Sequence, residues 1–201
     1  MEIKGLNFCY VNEENLFEDF SFASDSPLII LKGESGCGKT TLLNLIFGNN
    51  IGIVSYDKIV IPSTPYFILQ DDALCPWMTG VNNISKFLNV DLSMYETSPL
   101  FQRIKSFIEQ RACNMSFGQR RLVELFRALV FKPKLILWDE PFNYIDAKSR
   151  EIVVEELANY IVENNCQVIL TDHYKQCFGS IPHEIYLFPD STPIRKLIRE
   201  K

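Results

Sequence analysis

Basic charge is in short supply in this sequence. Lysine and arginine number 20 against 25 aspartate and glutamate, a net charge of −5. The chain as a whole therefore has no electrostatic footprint for a phosphate backbone, and nucleic acid is not an expected partner. Long apolar runs are also missing. None approaches the ~18 residues that a membrane span needs, so work at a membrane would require a partner that supplies the spanning helices. Met1-Glu2-Ile3-Lys4 lacks the charged-then-apolar pattern of a secretory leader. Six cysteines are scattered at 9, 37, 75, 113, 166 and 177 with no C-x-x-C pair. That spacing argues against zinc ligation and a disulfide framework, and for reduced thiols in a cytosolic protein. No internal repeat or low-complexity segment is present. The remaining composition is that of an ordinary globular protein, 47% hydrophobic and 22% charged over 201 residues. This length suits one α/β domain with its own core and is too short for two large ones.

What is present is a phosphate-binding pattern. Gly33-Glu34-Ser35-Gly36-Cys37-Gly38-Lys39-Thr40 fits G-x-x-x-x-G-K-[ST], directly after the apolar run Leu28-Ile29-Ile30-Leu31 and before a helical pattern. Glycines let backbone N–H groups converge on a phosphate chain, because no Cβ holds the backbone away. The following helix adds partial positive charge at its N-terminus. In this pattern Lys39 reaches the β- and γ-phosphates and the Thr40 hydroxyl ligates Mg²⁺.

The remaining periodicity organises the chain around this loop. Strands are expected over residues 1–10, around 20–23, and at 28–31, 51–55, 58–61 and 66–70. Thr40–Phe47 reads as a helix closed by Gly48-Asn49-Asn50. The middle is helical, with helices expected at 81–88, 99–110 and 116–131; Ser98 serves as N-cap and Pro99 as first helical residue. Strand–helix alternation then returns: strands at 135–138, 167–171 and 184–188, a helix at 147–163, and a short basic surface helix over 192–201. The expected fold is α/β, with a mixed-sheet core, an N-terminal antiparallel β region and an inserted helical subdomain. The expected division is one domain over 1–201: a core of about 1–72 and 132–190, and a helical subdomain of about 73–131.

A second motif is Leu135-Ile136-Leu137-Trp138-Asp139-Glu140-Pro141, a buried strand with two carboxylates at its C-terminal end. Ligands of a parallel sheet bind at that edge. Asp139 is placed for a Mg²⁺ shell, and Glu140 for general-base or water-orienting work at a γ-phosphate. A third, Ser116-Phe117-Gly118-Gln119, reads by itself as a helix N-cap. Taken with the other motifs, it resembles the signature of the ATP-binding-cassette (ABC) ATPases, and further family marks follow in order.

The resemblance implies the following roles. Tyr10 stacks on adenine, and Gly33, Glu34, Ser35, Gly36, Cys37, Gly38, Lys39, Thr40 and Thr41 hold the nucleotide. Gln70, Thr40 and Asp139 hold Mg²⁺. Glu140, His173, Lys39 and Gln70 act in catalysis, with His173 contacting the γ-phosphate. Asn143-Tyr144-Ile145-Asp146 crosses a dimer interface, and Ser116, Phe117, Gly118 and Gln119 act in trans on the ATP of a second ABC subunit, identical or not. The implied protein is an ATPase that drives separate transmembrane permease subunits from the inner face of the cell membrane. The stretch Ala73–Thr79 with Asn82-Asn83-Ile84 is similar to the region where transporter cassettes dock a membrane-subunit helix, with Trp77 beside Met78 and Phe87 as the apolar pocket; the plain alternative is that Trp77 is core. Three departures stand out. Phe117 replaces the usual first glycine of the signature. The interface loop reads Asn-Tyr-Ile-Asp. The short interval from Lys39 to Gln70 predicts a reduced antiparallel region. Competing readings are a soluble ABC-type assembly or scaffold ATPase, and a nucleotide binder that regulates without hydrolysis.

Overall fold

The structure is a computed structural model that describes residues 1–49, 52–71, 73–171, 178 and 181–200. Its centre is a six-stranded sheet. β3 (Leu28–Lys32), β6 (Pro65–Ile68), β7 (Leu135–Trp138), β8 (Gln167–Thr171) and β9 (His183–Leu187) run parallel in the order β9-β3-β8-β7-β6. A short β10 (Ile198–Arg199) adds antiparallel to β9. Every residue of β7 and β8 is buried, as expected of parallel strands covered on both faces.

Successive side chains of a strand point to opposite faces, so the sheet divides two apolar clusters. Leu28, Ile30, Ile136, Trp138, Val168 and Leu170 face a cluster built with α2 (Gly80–Leu88), α3 (Pro99–Ile104), α4 (Phe117–Val130) and α5 (Ala147–Asn164). Ile29, Leu31, Leu135, Leu137 and Ile169 face the other, built with α1 (Lys39–Phe47) and a smaller antiparallel sheet. In that sheet β1 (Glu2–Cys9) pairs with β2 (Asn15–Ala23) and with two three-residue strands, β4 (Ile53–Ser55) and β5 (Lys58–Val60). This reduced antiparallel region matches the expectation from the short Lys39–Gln70 interval.

Two expected helices differ. The one over 99–110 ends at Ile104. Beyond it the Ile108 and Gln110 carbonyls accept from Val81 N and Gly80 N, two first-turn amides of α2 that have no partner within their own helix. In place of the tail helix expected over 192–201, residues 192–200 run as an extended strap. Ile194 is buried and its backbone bonds to Leu16 and Glu18, and Arg199 pairs with Tyr186. The strap ties β2 to β9 and so joins the two sheets. Strand β6 stops at Ile68 rather than Gln70, because Leu69 O leaves the ladder to accept from the Arg121 guanidinium.

Candidate active site

The C-terminal ends of β3, β6, β7 and β8 lie at one edge, in register through Ile68↔Trp138, Trp138↔Leu170 and Leu31↔Thr171. That register delivers Gly33, Gln70, Asp139, Glu140 and Thr171 to a common place. A cavity of about 460 Å³ opens there, lined by Tyr10, Ser35, Gly36, Gly38, Lys39, Thr40, Thr41, Gln70 and Glu140.

The loop after β3 is held around its lysine. Lys39 Nζ is buried and donates to Gly33 O (2.8 Å) and Glu34 O (2.7 Å), with Cys37 Sγ at 3.7 Å. Gly38 is the N-cap of α1 with φ +102°, a backbone that side chains rarely adopt. It has no side chain to cap with, so the first amides of α1 receive no side-chain cap from it. The ammonium and these amides make this end of the cavity cationic. Tyr10 OH lies 2.6 Å from Thr41 Oγ1, which holds the ring over the start of α1.

The acidic end is equally constrained. Asp139 is 2% exposed, and its two oxygens accept from Thr40 Oγ1 (2.6 Å) and Thr171 Oγ1 (2.7 Å). Glu140 has φ +48°, and its N–H donates to Thr171 Oγ1 at 2.8 Å. Its Oε2 accepts from Gln70 Nε2 at 3.2 Å and from Asn143 Nδ2. A hydroxyl, a buried carboxylate and a carboxamide from three elements thus converge beside the lysine. Among the described residues, no cluster of three His, Cys, Asp or Glu side chains could cage a metal alone.

The structure brings Tyr10, the Gly33–Thr41 loop, Gln70, Asp139 and Glu140 together. It does not bring Ser116, Phe117, Gly118 and Gln119 to this cavity; none of the four lines it. They form the start of α4, with Ser116 and Phe117 exposed and Gly118 and Gln119 half-buried, and Ser116 and Gln119 cap each other reciprocally (Gln119 N to Ser116 Oγ 3.3 Å, Ser116 N to Gln119 Oε1 2.9 Å). Gly118 packs so closely on the loop of Asn143–Asp146 that a Cβ there would collide with Tyr144 O. Phe117 is exposed, with its ring 5.4 Å from that of Tyr144 and the Arg120 guanidinium 4.3 Å above it. Asp146 of the same loop caps α5, accepting from Ser149 N at 3.0 Å. His173 lies outside the described residues.

Trp77 is 69% exposed, so the core alternative for it is wrong. Its loop is pinned by the buried Asn83, which accepts from Cys75 N (2.7 Å) and donates to Cys75 O (3.1 Å) and Thr79 O (3.0 Å). The Phe87 side chain lies outside what is described.

Four residues were not anticipated. Thr171 ends an apolar strand, and only the sheet register reveals that its hydroxyl meets Asp139. Thr192 reaches the cavity wall because the tail is a strap. Arg121 and Glu124 are 3% and 1% exposed on α4 and pair at 3.1 Å. Burial raises the Glu124 carboxyl above its ordinary range, against the pull of Arg121. Their i,i+3 spacing of opposite charges on a helix is the signal in the sequence that could have found them.

Comparisons with known proteins agree with this geometry. The sequence model of the ABC transporter family matches residues 19–143. The taurine import ATP-binding protein TauB of Yersinia pestis bv. Antiqua is 33% identical over 163 residues, covering 75% of this chain and 64% of that protein. The molybdate import ATP-binding protein MolC of Haemophilus influenzae is 28% identical over 183 residues, covering 86% and 72%. This chain therefore spans less than two thirds of the length of the taurine relative. Among solved structures, the ATP-binding cassette MJ0796 in a dimeric post-hydrolysis state bound to ADP and Pi superimposes with a TM-score of 0.76 at 20% identity, over 100% of this chain and 97% of that one. The fold is thus that of a P-loop ABC cassette. With a family match over most of its length and the ordered motifs at one sheet edge, this chain belongs to the ABC transporter family.

Proposed function

We propose that this chain binds and hydrolyses ATP as a head-to-tail dimer and drives separate transmembrane permease subunits. One observation carries the reading: the glycine loop with its buried Lys39 shares a cavity with Gln70 and Glu140, while Asp139 hydrogen-bonds Thr40 of the same loop. The loop amides and Lys39 bind the phosphates. The Tyr10 ring packs on the base. Glu140, steered by Gln70 and Asn143, orients water for in-line attack, and His173 joins the γ-phosphate contact.

The donor chemistry fits Mg²⁺. Thr40 Oγ1 and an Asp139 oxygen lie 2.6 Å apart, both hard oxygen donors. Mg²⁺ is ordinarily held by one or two such groups together with substrate phosphates. Bound there, it would neutralise charge on the β- and γ-oxygens; Thr40, Asp139 and Gln70 are its proposed holders.

Ser116, Phe117, Gly118 and Gln119 lie off the cavity on the surface of α4. We assign them to the nucleotide of a second ABC subunit, where a donor in trans completes the charge clamp. Phe117 and Tyr144 then face that subunit. The core of about 1–72 and 132–190 carries the nucleotide, and the insert of about 73–131 carries both the signature and the permease-docking loop at Trp77. Among the described residues no helix is long and apolar enough to cross a membrane, consistent with a cytoplasmic subunit held peripherally by its permease. The relatives' names support an import direction.

The test is Glu140→Gln. Phosphate release falls about a hundredfold or more, ATP binding persists, and ATP converts monomer to dimer in light scattering. A variant that stays monomeric with ATP, or that releases phosphate at the wild-type rate, refutes the proposal.

A further inference from the structure

Arg121 lies on α4, outside the cavity, yet its guanidinium reaches two backbone carbonyls of the active edge. Nη1 donates to Leu69 O and Nη2 to Asp139 O, the latter at 3.1 Å. Leu69 and Asp139 immediately precede Gln70 and Glu140, whose side chains meet at 3.2 Å. The peptide joining Asp139 to Glu140 is therefore held at both ends. Its carbonyl accepts from Arg121, and its N–H donates to Thr171 Oγ1 at 2.8 Å. This clamp maintains Glu140 at φ +48°, a left-handed backbone that a glutamate does not favour unaided.

The guanidinium is itself oriented. Glu124 Oε2 accepts from Arg121 at 3.1 Å, and Glu124 Oε1 accepts from Ala73 N at 3.1 Å. Arg127 adds a bond to Ala73 O at 3.2 Å. One face of α4 thus grips Leu69, Ala73 and the end of β7 together. Both members of the pair are nearly fully buried. Such a pair is weak evidence for stability, because desolvation of two ions offsets most of their attraction. A rigid planar fork that holds two carbonyls on two separate nitrogens is, by contrast, geometry particular to arginine.

We infer that Arg121, oriented by Glu124, is a positioning residue for hydrolysis: it aligns the backbone of Gln70 and Glu140 so that their side chains meet over the nucleotide. Because Arg121 is two residues beyond Gln119, the same side chain links the start of α4 to this alignment. The inference rests on the ATPase reading above and adds a residue and a role to it.

The experiment uses the full chain with three forms: wild type, Arg121→Lys, and the double variant Arg121→Met/Glu124→Leu, which removes both charges and leaves neither unpaired. Binding is measured with a fluorescent ATP analogue, turnover by phosphate release, and the active edge by crystallography. The double variant is expected to fold and bind nucleotide within about twofold of wild type. Its kcat should fall about tenfold to a hundredfold at unchanged KM, the cost of misplacing catalytic groups by about an ångström. Its crystal structure should show the Gln70–Glu140 contact broken. Arg121→Lys, whose one compact ammonium lacks the two separated nitrogens that reach Leu69 O and Asp139 O in the native geometry, should lose kcat in the same sense. A folded double variant with kcat within about twofold of wild type overturns the inference, and so does wild-type kcat in Arg121→Lys if the double variant does not fold. If the wild type itself shows no turnover, the ATPase reading falls. The crystal structure then decides the positioning role alone: an intact Gln70–Glu140 contact refutes it.

Discussion

Replacing Thr171 with valine tests whether one hydroxyl holds the acidic end of the site together. Thr171 is fully buried, and valine has nearly its shape, so no cavity results. The hydroxyl donates to Asp139 Oδ1 at 2.7 Å and accepts from Glu140 N at 2.8 Å. Asp139 is itself only 2% exposed, so water is a poor substitute. The charge-assisted bond contributes about 2 kcal/mol and the amide bond about 1 kcal/mol. The expected loss is about 3 kcal/mol, or about 9 °C in Tm for a chain of this size. Thr171→Ser keeps the hydroxyl and loses one buried methyl, worth about 1 kcal/mol and about 3 °C. Differential scanning calorimetry of the two variants without nucleotide therefore gives an order, serine above valine, opposite to that from apolar burial alone. A valine variant that melts at or above the serine variant would refute the account of how Asp139 and Glu140 are held.

Other outcomes follow from single contacts. Tyr10→Phe removes a 2.6 Å bond to Thr41 but keeps the ring; a fluorescent ATP analogue should bind it within about threefold of wild type and bind Tyr10→Ala about tenfold more weakly. Trp77→Ala should change stability by no more than about 0.5 kcal/mol, since the indole is exposed, while permease-coupled transport is lost; unchanged transport refutes the docking assignment. Burial pushes the Cys166 thiol from 9.0 up to about 12. The unfolded chain therefore loses this proton first, and the stability that the buried thiol contributes is complete below about pH 9 and declines as pH rises toward about 12. Denaturant midpoints should fall over that window and fall less in Cys166→Ala; equal slopes count against a buried thiol.

Much of the site could be read in order along the chain because its parts are local. Gly33–Thr40 needs only a strand before it and a helix after it, and Asp139 and Glu140 need only a buried strand to end where they begin. Ser116 and Gln119 announce a helix start by their spacing, and both capping bonds form. Residues whose meaning depends on distant neighbours were not legible. The carbonyls of 108 and 110 close α2 instead of extending α3, and Ile194 is drawn into the core under β2, so the tail runs as a strap.

The phosphate loop, the carboxylate pair, the capped signature helix and the strand–helix order were determined by sequence alone, since each depends on residue type at short, regular spacing. Tertiary structure decided that Thr171 clamps Asp139, that Arg121 spans Leu69 and Asp139, and that Trp77 faces solvent. Those outcomes depend on sheet register and on which buried polar groups must find partners. No local pattern encodes them, because the partners lie far apart in the chain and the cost of leaving them unpaired arises only once water is excluded.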